Sequence, residues 1–261
     1  LGSNVSTSVA MAMASFTGIA SYNAVELIYL ILSTFKTYHS LYFWSLLSSS
    51  FGVPVYAIAF MFKYFDVAGN DIVTMVFVVI AWCFMVTGQS VVLYSRLSLV
   101  CHSLTKRRAV LAMIIFDAII CHIPIAVLSI GANSGSGAAS RFERPYSLYT
   151  NVHISIFFAQ ETIISSLYIW ETYKLLKQSS GIMNPDGDTP RGDHRKMLKH
   201  LVLMNIVIIL LDLSYLLIQF MGKFAIHTVY KAMVYSIKLK MEFRILNQLI
   251  AITTTNRTSS A

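Results

Sequence analysis

The chain has 261 residues, of which 56% are hydrophobic and 12% are charged, and its formal net charge is +8 at pH 7. Because soluble proteins carry about 25% charged residues and rarely expose large apolar patches, this composition excludes an ordinary soluble domain. Lys and Arg gather at alternate connections between long apolar segments, so membrane topology explains the positive charge better than nucleic-acid binding does.

Seven segments have about the 20 apolar residues that a membrane-spanning helix needs. In chain order the predicted spans are Val9–Phe35, Leu41–Phe62, Ile72–Val100, Ala109–Ile130, Asn151–Leu176, Leu198–Met221 and a seventh that starts near Phe224. We therefore predict an all-α, polytopic seven-transmembrane-helix bundle that forms one domain over residues 1–252. Residues 253–261 are predicted to begin a polar cytosolic tail. The connections Gly131–Ser140 and Lys177–Lys196 are predicted to be loops.

Charged residues interrupt the seventh segment: Lys231, Lys238, Lys240, Glu242 and Arg244. Each charge near a bilayer centre costs about 2.5–3.5 kcal/mol on insertion scales, so an amphipathic helix on the membrane surface is the alternative. A surface helix would leave these Lys and Arg on the side opposite to the other basic clusters. We therefore predict a seventh crossing.

The distribution of basic residues predicts the orientation. Fifteen of the 20 Lys and Arg lie at one set of helix ends and four lie at the other. Basic residues stay on the cytoplasmic side, so we expect the amino end outside, with the sequon at Asn4, and the carboxyl end in the cytosol, with the sequon at Asn256. The expected partners are the bilayer of the plasma membrane or an endomembrane, anionic lipid or a cytosolic protein at the basic loops, and no nucleic acid.

Ionisable and strongly polar residues at membrane depth face the bundle interior and often mark function. The candidate ligand or ion pocket comprises Glu26, Asp117, Gln160, Glu161, Asp212, Lys231, Lys238 and Glu242. In the sixth span, Asn205, Asp212 and Gln219 recur every seven residues and share one face. Interhelical hydrogen bonding is the favoured interpretation of that stripe.

Opposite charges in this set suggest three ion pairs. Lys231 could pair with Asp212 if the sixth and seventh helices are neighbours. Lys238 could pair with Glu26 if the seventh and first helices are neighbours. Lys238 and Glu242 are four residues apart, so they could also pair within one helix.

The candidate cytoplasmic face comprises Arg96, Lys106, Arg107 and Arg108. Arg96 ends the third span and resembles in position the switch arginine of G-protein-coupled receptors. Ser95 stands where an acidic neighbour would hold that arginine. The common interpretation of such a residue is an arginine whose side chain reaches the membrane surface.

Signatures of catalysis and metal binding are missing from the sequence. The His residues show no metal-ligand spacing, and no Ser/His/Asp order, Gly-rich phosphate loop or Cys-x-x-Cys occurs. Cys83, Cys101 and Cys121 are too few for a disulfide framework. We therefore expect no enzyme activity, no metal and no cofactor.

Three separated motifs carry a resemblance to a known family. They are Thr87–Arg96 (TGQSVVLYSR), Gln160-Glu161 leading to Tyr168–Thr172 (YIWET), and Tyr230–Ser236 (YKAMVYS) through Lys238–Glu242 (KLKME). The chain resembles a family of filamentous-fungal integral membrane proteins with a conserved domain of unknown function. The resemblance implies a fungal seven-helix membrane protein without an established activity. The residues on its motifs are Arg96, Gln160, Glu161, Trp170, Glu171, Lys238 and Glu242.

Two functions are favoured over a membrane-embedded enzyme, which has no catalytic signature here, and over a purely structural or lipid-organising bundle. A receptor-like sensor would bind its ligand in an outward pocket with Glu161, Asp212 and Lys231 and signal through its basic cytoplasmic face. In the alternative, a transporter or channel, intramembrane Asp, Glu and Lys form a path for a proton, ion or small solute, and Pro54 and Pro124 bend the helices. A continuous wet path would favour transport, whereas a pocket closed on the cytoplasmic side would favour the sensor.

Overall fold

A computed structural model describes residues 7–35, 38–65, 67, 69, 71–133, 139–180, 190–221 and 224–258. The side chains at 175–176, 178–180, 190–198, 224–225 and 249–258 lie outside that description. The predicted positions of the two sequons are therefore untested, because Asn4 and the side chain of Asn256 fall outside it. The helices are α1 (Thr7–Thr34), α2 (Leu41–Tyr64), α3 (Asp71–Val100), α4 (Leu104–Ala132), α5 (Ala139–Ser180), α6 (Pro190–Phe220) and α7 (Phe224–Thr258).

The seven helices form a bundle with two central members. Successive helices contact each other, and contacts between α7 and α1 close the ring. In addition, α3 contacts α5 and α7, and α7 contacts α2, so α3 and α7 are the most enclosed helices. We call the end of the bundle where α1, α3, α5 and α7 finish the basic end, and the opposite end the cavity end. The predicted all-α bundle is confirmed.

The helix boundaries differ most from prediction at the polar connections. The fifth helix begins at Ala139, well before the predicted Asn151. The predicted loop over 177–196 is wrong at both ends, because α5 continues to Ser180 and α6 begins at Pro190. The fixed φ of proline suits the first position of a helix. Residues 134–138 and 181–189, the middle parts of the two predicted loops, lie outside the described residues.

In the described part of the chain, six helices, α1 to α6, are long and apolar enough to cross a membrane. The seventh is more highly charged, yet it is one continuous helix over Phe224–Thr258, past the predicted domain boundary. Lys231, Lys238 and Glu242 of α7 are buried inside the bundle. Neighbouring helices surround these charges in place of lipid, which lowers the cost of holding them at membrane depth.

The two faces of α6 illustrate how the bundle meets lipid. Leu203, Leu210 and Leu217 recur every seven residues and are each more than half exposed. On the other side of the helix, Asn205 and Asp212 are at most 1% exposed. The predicted polar stripe therefore faces protein, and the leucine face is suited to acyl chains.

Small residues allow α2 and α3 to approach closely. A Cβ added at Gly88 would lie 2.7 Å from the Cβ of Ser49, and one at Gly52 would lie 2.9 Å from the carbonyl oxygen of Ala81. The Oγ of Ser49 donates a hydrogen bond of 2.8 Å to the carbonyl oxygen of Met85. Close backbone packing and hydrogen bonds hold helices together in lipid, where apolar side chains gain little by leaving the solvent.

Candidate functional site

One face of α7 carries a polar column through the middle of the bundle. Lys231, Tyr235, Lys238 and Glu242 follow one another at helical spacing, which places them on one side of the helix. All four are at most 4% exposed. Together these four residues, the α7 polar column, rise about 16 Å along the helix, roughly half the apolar thickness of a bilayer.

Lys238 lies in the middle of the column between two carboxylates. Its Nζ donates hydrogen bonds to Oε2 of Glu161 on α5 at 2.5 Å and to Oδ1 of Asp212 on α6 at 2.6 Å. The hydroxyl of Tyr235 donates to Oε1 of Glu161 at 3.2 Å. We call Lys238, Glu161 and Asp212 the Lys238 triad. It joins three helices and has two carboxylates for one ammonium group.

Arg96 on α3 forms a second buried ion pair nearer the basic end. Its Nη1 lies 2.5 Å from Oε2 of Glu242, and its Nη2 donates a hydrogen bond to Oδ1 of Asn205. The guanidinium carbon lies 4.3 Å from the ring centre of Tyr168, within cation–π range. The interpretation of Arg96 as a side chain that reaches the membrane surface is therefore wrong. Its acidic partner comes from α7, not from the adjacent position on α3.

Lys231, at the cavity end of the column, is surrounded by aromatic rings. Its Nζ lies 5.4 Å from the ring centre of Trp82 on α3, 5.8 Å from that of Tyr215 on α6 and 5.9 Å from that of Tyr235. These distances are within the range of cation–π attraction. In the described part of the chain, no carboxylate forms an ion pair with this ammonium group.

Lys231 also lines the deep part of a cavity of about 390 Å³ at the cavity end of the bundle. The wall comes from α2, α3, α4, α5 and α7, and it is mainly apolar and aromatic. Representative lining residues are Tyr56, Phe60, Val78, Trp82, Ile125, His153 and His227. Lys63, at the mouth of the cavity, donates a hydrogen bond to Oδ1 of Asn133. Among the described residues that line the cavity, none carries a carboxylate.

Packed layers separate this cavity from the basic end. The rings of Tyr215 and Tyr235 meet edge to face with their centres 6.4 Å apart. The Lys238 triad lies beyond them, and its three members are at most 1% exposed. Arg96 and Glu242 form the next layer and are 0% exposed. Within the described residues, the cavity is therefore closed toward the basic end.

The structure corrects the predicted partner of Lys231. Asp212 binds Lys238 instead, although α6 and α7 are neighbours as the prediction required. Tyr215 lies one turn from Asp212 on the same face of α6, and its ring occupies the position opposite Lys231. A bulky ring therefore stands where the predicted carboxylate would have been.

The two predicted pairs of Lys238 with residues of α1 and α7 are also wrong. Glu26 on α1 binds Lys240 at 2.5 Å, because Lys240 lies on the side of α7 that faces α1. Glu242 binds Arg96 of α3, a helix that packs against α7. Lys238 is thereby left to the two carboxylates of α5 and α6.

Of the eight predicted pocket residues, Lys231 is the one that lines the described cavity, and the predicted sensor pocket is wrong for Glu161 and Asp212, which lie outside its lining. The Nε2 of Gln160 donates a hydrogen bond of 2.7 Å to Oγ of Ser90 on α3, so this residue ties α5 to α3. Asp117 is half-buried on α4 and belongs neither to the cavity lining nor to the column. Glu26 lies at the contact between α1 and α7, where it binds Lys240. The structure therefore brings together Glu161, Asp212 and Lys238 of the predicted set.

The predicted cytoplasmic face divides into buried and exposed residues. Arg96 belongs to the interior. Lys106 pairs with Glu171 of α5 at 2.6 Å while its own side chain stays 45% exposed. Arg107 is half-buried and Arg108 is exposed. The accessible part of this predicted face is therefore the first turn of α4.

Sequence reasoning missed the aromatic and histidine lining of the cavity. His227 precedes Lys231 by four residues, a spacing that places both on one face and was a usable signal. His153 and Trp82 pack together with ring centres 5.1 Å apart. Trp82 gave no local signal, because a tryptophan in an apolar span looks the same whether it faces lipid or protein. The Nε2 of His122 lies 2.7 Å from Oγ1 of Thr87, so this histidine of α4 is hydrogen-bonded to α3.

The arrangement is suited to binding and to holding charge. The cavity has a mainly apolar wall and the ammonium group of Lys231 in its deep part. Between the cavity and the basic end lie the Lys238 triad and the Arg96–Glu242 pair, whose charges respond to a change in the nearby electric field. Among the described residues, no group of three or more His, Cys, Asp or Glu is placed to hold a metal ion.

Seven helices around a buried charged column, six of them long and apolar enough to cross a bilayer, define a polytopic helical membrane protein. The chain belongs to the family described as Domain of unknown function (DUF7703), whose model matches residues 2–260. This agrees with the resemblance to a family that carries a conserved domain of unknown function. No curated protein and no solved structure matches the chain significantly.

Proposed function

We propose that this protein is a receptor-like sensor of a fungal membrane, in which a ligand in the cavity changes the shape of the basic end. The observation that carries the proposal is the closed floor of the cavity, where Tyr215, Tyr235 and the Lys238 triad are packed and buried. A site open at one end and sealed at the other suits a protein that holds a ligand without passing it on. The proposed role is signalling and includes no catalysis.

The α7 polar column supplies a route for coupling. The ring of Tyr235 has its centre 5.9 Å from Nζ of Lys231 and 4.7 Å from Nζ of Lys238, and its hydroxyl binds Glu161. A ligand that moves Lys231 therefore disturbs the triad. Two carboxylates that share one ammonium group have more than one low-energy arrangement, and a switch requires such alternatives.

In the proposed orientation, the protein lies in a plasma membrane or an endomembrane. Its cavity end faces away from the cytosol and its basic end faces the cytosol. The exposed first turn of α4, with Lys106 and Arg108, would then meet an acidic cytosolic protein or anionic lipid. This assignment gives the ligand and the signalling partner opposite sides of the membrane.

A cavity-filling substitution tests the coupling. Val78 lines the cavity, whereas its neighbour Phe77 is 56% exposed toward lipid. A fluorophore attached at His102→Cys, in a chain whose native cysteines are changed to alanine, reports on the basic end. We expect Val78→Trp to shift its emission and to change amide exchange at that end, and we expect Phe77→Trp to do neither. A folded Val78→Trp protein without either change would contradict the sensor.

Proton transport is the second candidate, because the column and triad place ionisable groups along about 16 Å of one helix. Proteoliposomes that contain a pH-sensitive dye test it directly. The sensor predicts no proton influx above that of empty liposomes when a pH gradient is imposed. Influx that Glu161→Gln abolishes, with Glu26→Gln as the matched control, would support transport and contradict the sensor.

A further inference from the structure

We propose that the cavity binds an apolar carboxylic acid whose carboxylate is held by Lys231 and His227. The inference rests on the proposed function and names the ligand class of the sensor.

Two buried nitrogen groups point to an anionic head group. Lys231 and His227 are four residues apart on α7, both line the cavity, and they are 4% and 3% exposed. The Nε2 of His227 has no hydrogen-bond partner among the described residues, and Lys231 has no ion-pair partner there. Stacking of the His227 ring on Tyr215, with centres 5.7 Å apart, fixes the imidazole in place. A carboxylate has enough lone pairs to accept hydrogen bonds from both groups.

The charge of the cavity wall selects the sign of the ligand. The described lining of the cavity contains two lysines, Lys63 and Lys231. It contains no carboxylate that could bind a cationic ligand. Both carboxylates of the Lys238 triad bind Lys238, and neither forms an ion pair with Lys231. At equal dielectric, Coulomb attraction falls inversely with distance, so a ligand carboxylate in direct contact with Lys231 interacts more strongly with it than the carboxylates of the triad do.

The size and composition of the cavity select an apolar body. Its volume of about 390 Å³ lies within the range of small-molecule sites. The lining of α2, from Tyr56 to Tyr64, covers about 12 Å of helix length. Tyr56, Phe60 and Trp82 provide aromatic surface that a small hydrated anion would leave unfilled. One ring or a short alkyl chain behind the carboxylate fills this space.

Binding measured by calorimetry in phosphatidylcholine nanodiscs tests the assignment with defined probes. The carboxylates are 4-phenylbutanoate and octanoate, and the matched controls are 4-phenylbutanol and 4-phenylbutylamine. We expect saturable one-to-one binding of at least one carboxylate and no saturable binding of the amine. Lys231→Met should weaken carboxylate binding about 10- to 100-fold, as the loss of a charge-assisted hydrogen bond does, and Lys231→Arg should retain most of it.

Lys240→Met is the control variant, since Lys240 lies on the same helix outside the cavity and binds Glu26. It should leave carboxylate affinity within about twofold of the unmodified chain, the spread expected of a distant site. Failure of both carboxylates to bind, preference for the amine, or unchanged affinity in a folded Lys231→Met protein would overturn the ligand class. If the alcohol or the amine binds and the carboxylates do not, the ligand class is wrong but the proposed sensor function is not contradicted. Carboxylate binding together with carboxylate uptake into liposomes would keep the ligand class and overturn the sensor.

Discussion

Two buried cations, Arg96 and Lys238, are held by opposite charges at contact distance. Arg96 and Lys238 are 0% exposed, and each has a carboxylate oxygen at 2.5 Å. Removing one member of such a pair costs more than the pair itself contributes, because the remaining charge keeps its desolvation penalty. The two buried clusters therefore allow separate predictions.

Glu242→Gln should lower the free energy of unfolding by about 3–5 kcal/mol, because Arg96 is then left buried without a carboxylate. Thermal or denaturant unfolding in detergent micelles measures this loss. The control is Glu26→Gln, which removes the partly exposed pair with Lys240 and should cost about 0–1 kcal/mol. The double variant Arg96→Gln with Glu242→Gln should recover part of the loss. An equal effect of the two single variants would contradict the prediction.

The Lys238 triad should respond unequally to loss of its cation and loss of one anion. Lys238→Met leaves Glu161 and Asp212 facing each other without a cation, whereas Asp212→Asn leaves one ammonium for one carboxylate. We expect Lys238→Met to cost about 3–5 kcal/mol and Asp212→Asn clearly less. Unfolding in micelles again provides the comparison. A larger loss in Asp212→Asn would show that the acid, and not the lysine, is the centre of the cluster.

Among whole helices, α2 and α3 are joined by close backbone contact, which depends on Gly52 and Gly88 having no side chain. α1 and α7 are joined differently, through hydrogen bonds and the ion pair of Lys240 with Glu26. Polar contacts tolerate small shifts of a helix, while close packing does not. The α2–α3 contact should therefore be the more sensitive to added volume.

Gly88→Ala should lower the free energy of unfolding by about 1–3 kcal/mol, because its Cβ would lie 2.7 Å from that of Ser49. The control is Gly18→Ala on α1, where an added Cβ meets no atom within 4 Å. There the better helix propensity of alanine should give a neutral or slightly stabilising result, up to about 1 kcal/mol. Equal melting temperatures for the two variants would argue against close α2–α3 packing.

The whole molecule presents apolar faces to lipid and carries its basic residues mainly at one end. This asymmetry is the basis of the proposed orientation, because translocating several Lys and Arg is unfavourable. The cavity, with Lys63 at its mouth, lies at the end of the bundle opposite the basic end. The orientation proposed above is therefore testable without any ligand.

Cysteines placed at opposite ends should react differently in intact cells. Val67→Cys, 68% exposed between α2 and α3 at the cavity end, should react with a membrane-impermeant thiol reagent. His102→Cys, exposed between α3 and α4 at the basic end, should react only after the membrane is permeabilised. Both variants are made in a chain whose Cys83, Cys101 and Cys121 are changed to alanine. The reverse labelling pattern would invert the topology.

The local sequence predicted the elements of the site but few of their contacts. The periodicity of Asn205 and Asp212 correctly indicated a face turned toward protein, because helical spacing is a local property. Arg96 was misassigned because its partner, Glu242, is far away along the chain and meets it only when α3 and α7 pack together. The aromatic surroundings of Lys231 were missed for the same reason.

The sequence by itself determined that this is an all-α membrane bundle of long helices and that α6 turns a polar face toward protein. Those properties follow from segment length, composition and the 3.6-residue period, all of which are local. Only the tertiary structure decided which acid binds which base and where a cavity remains. Partner choice depends on how each helix is rotated against its neighbours. That rotation is set by contacts between different helices, such as Gly88 against Ser49 and Tyr215 against Tyr235, which the local sequence does not reveal.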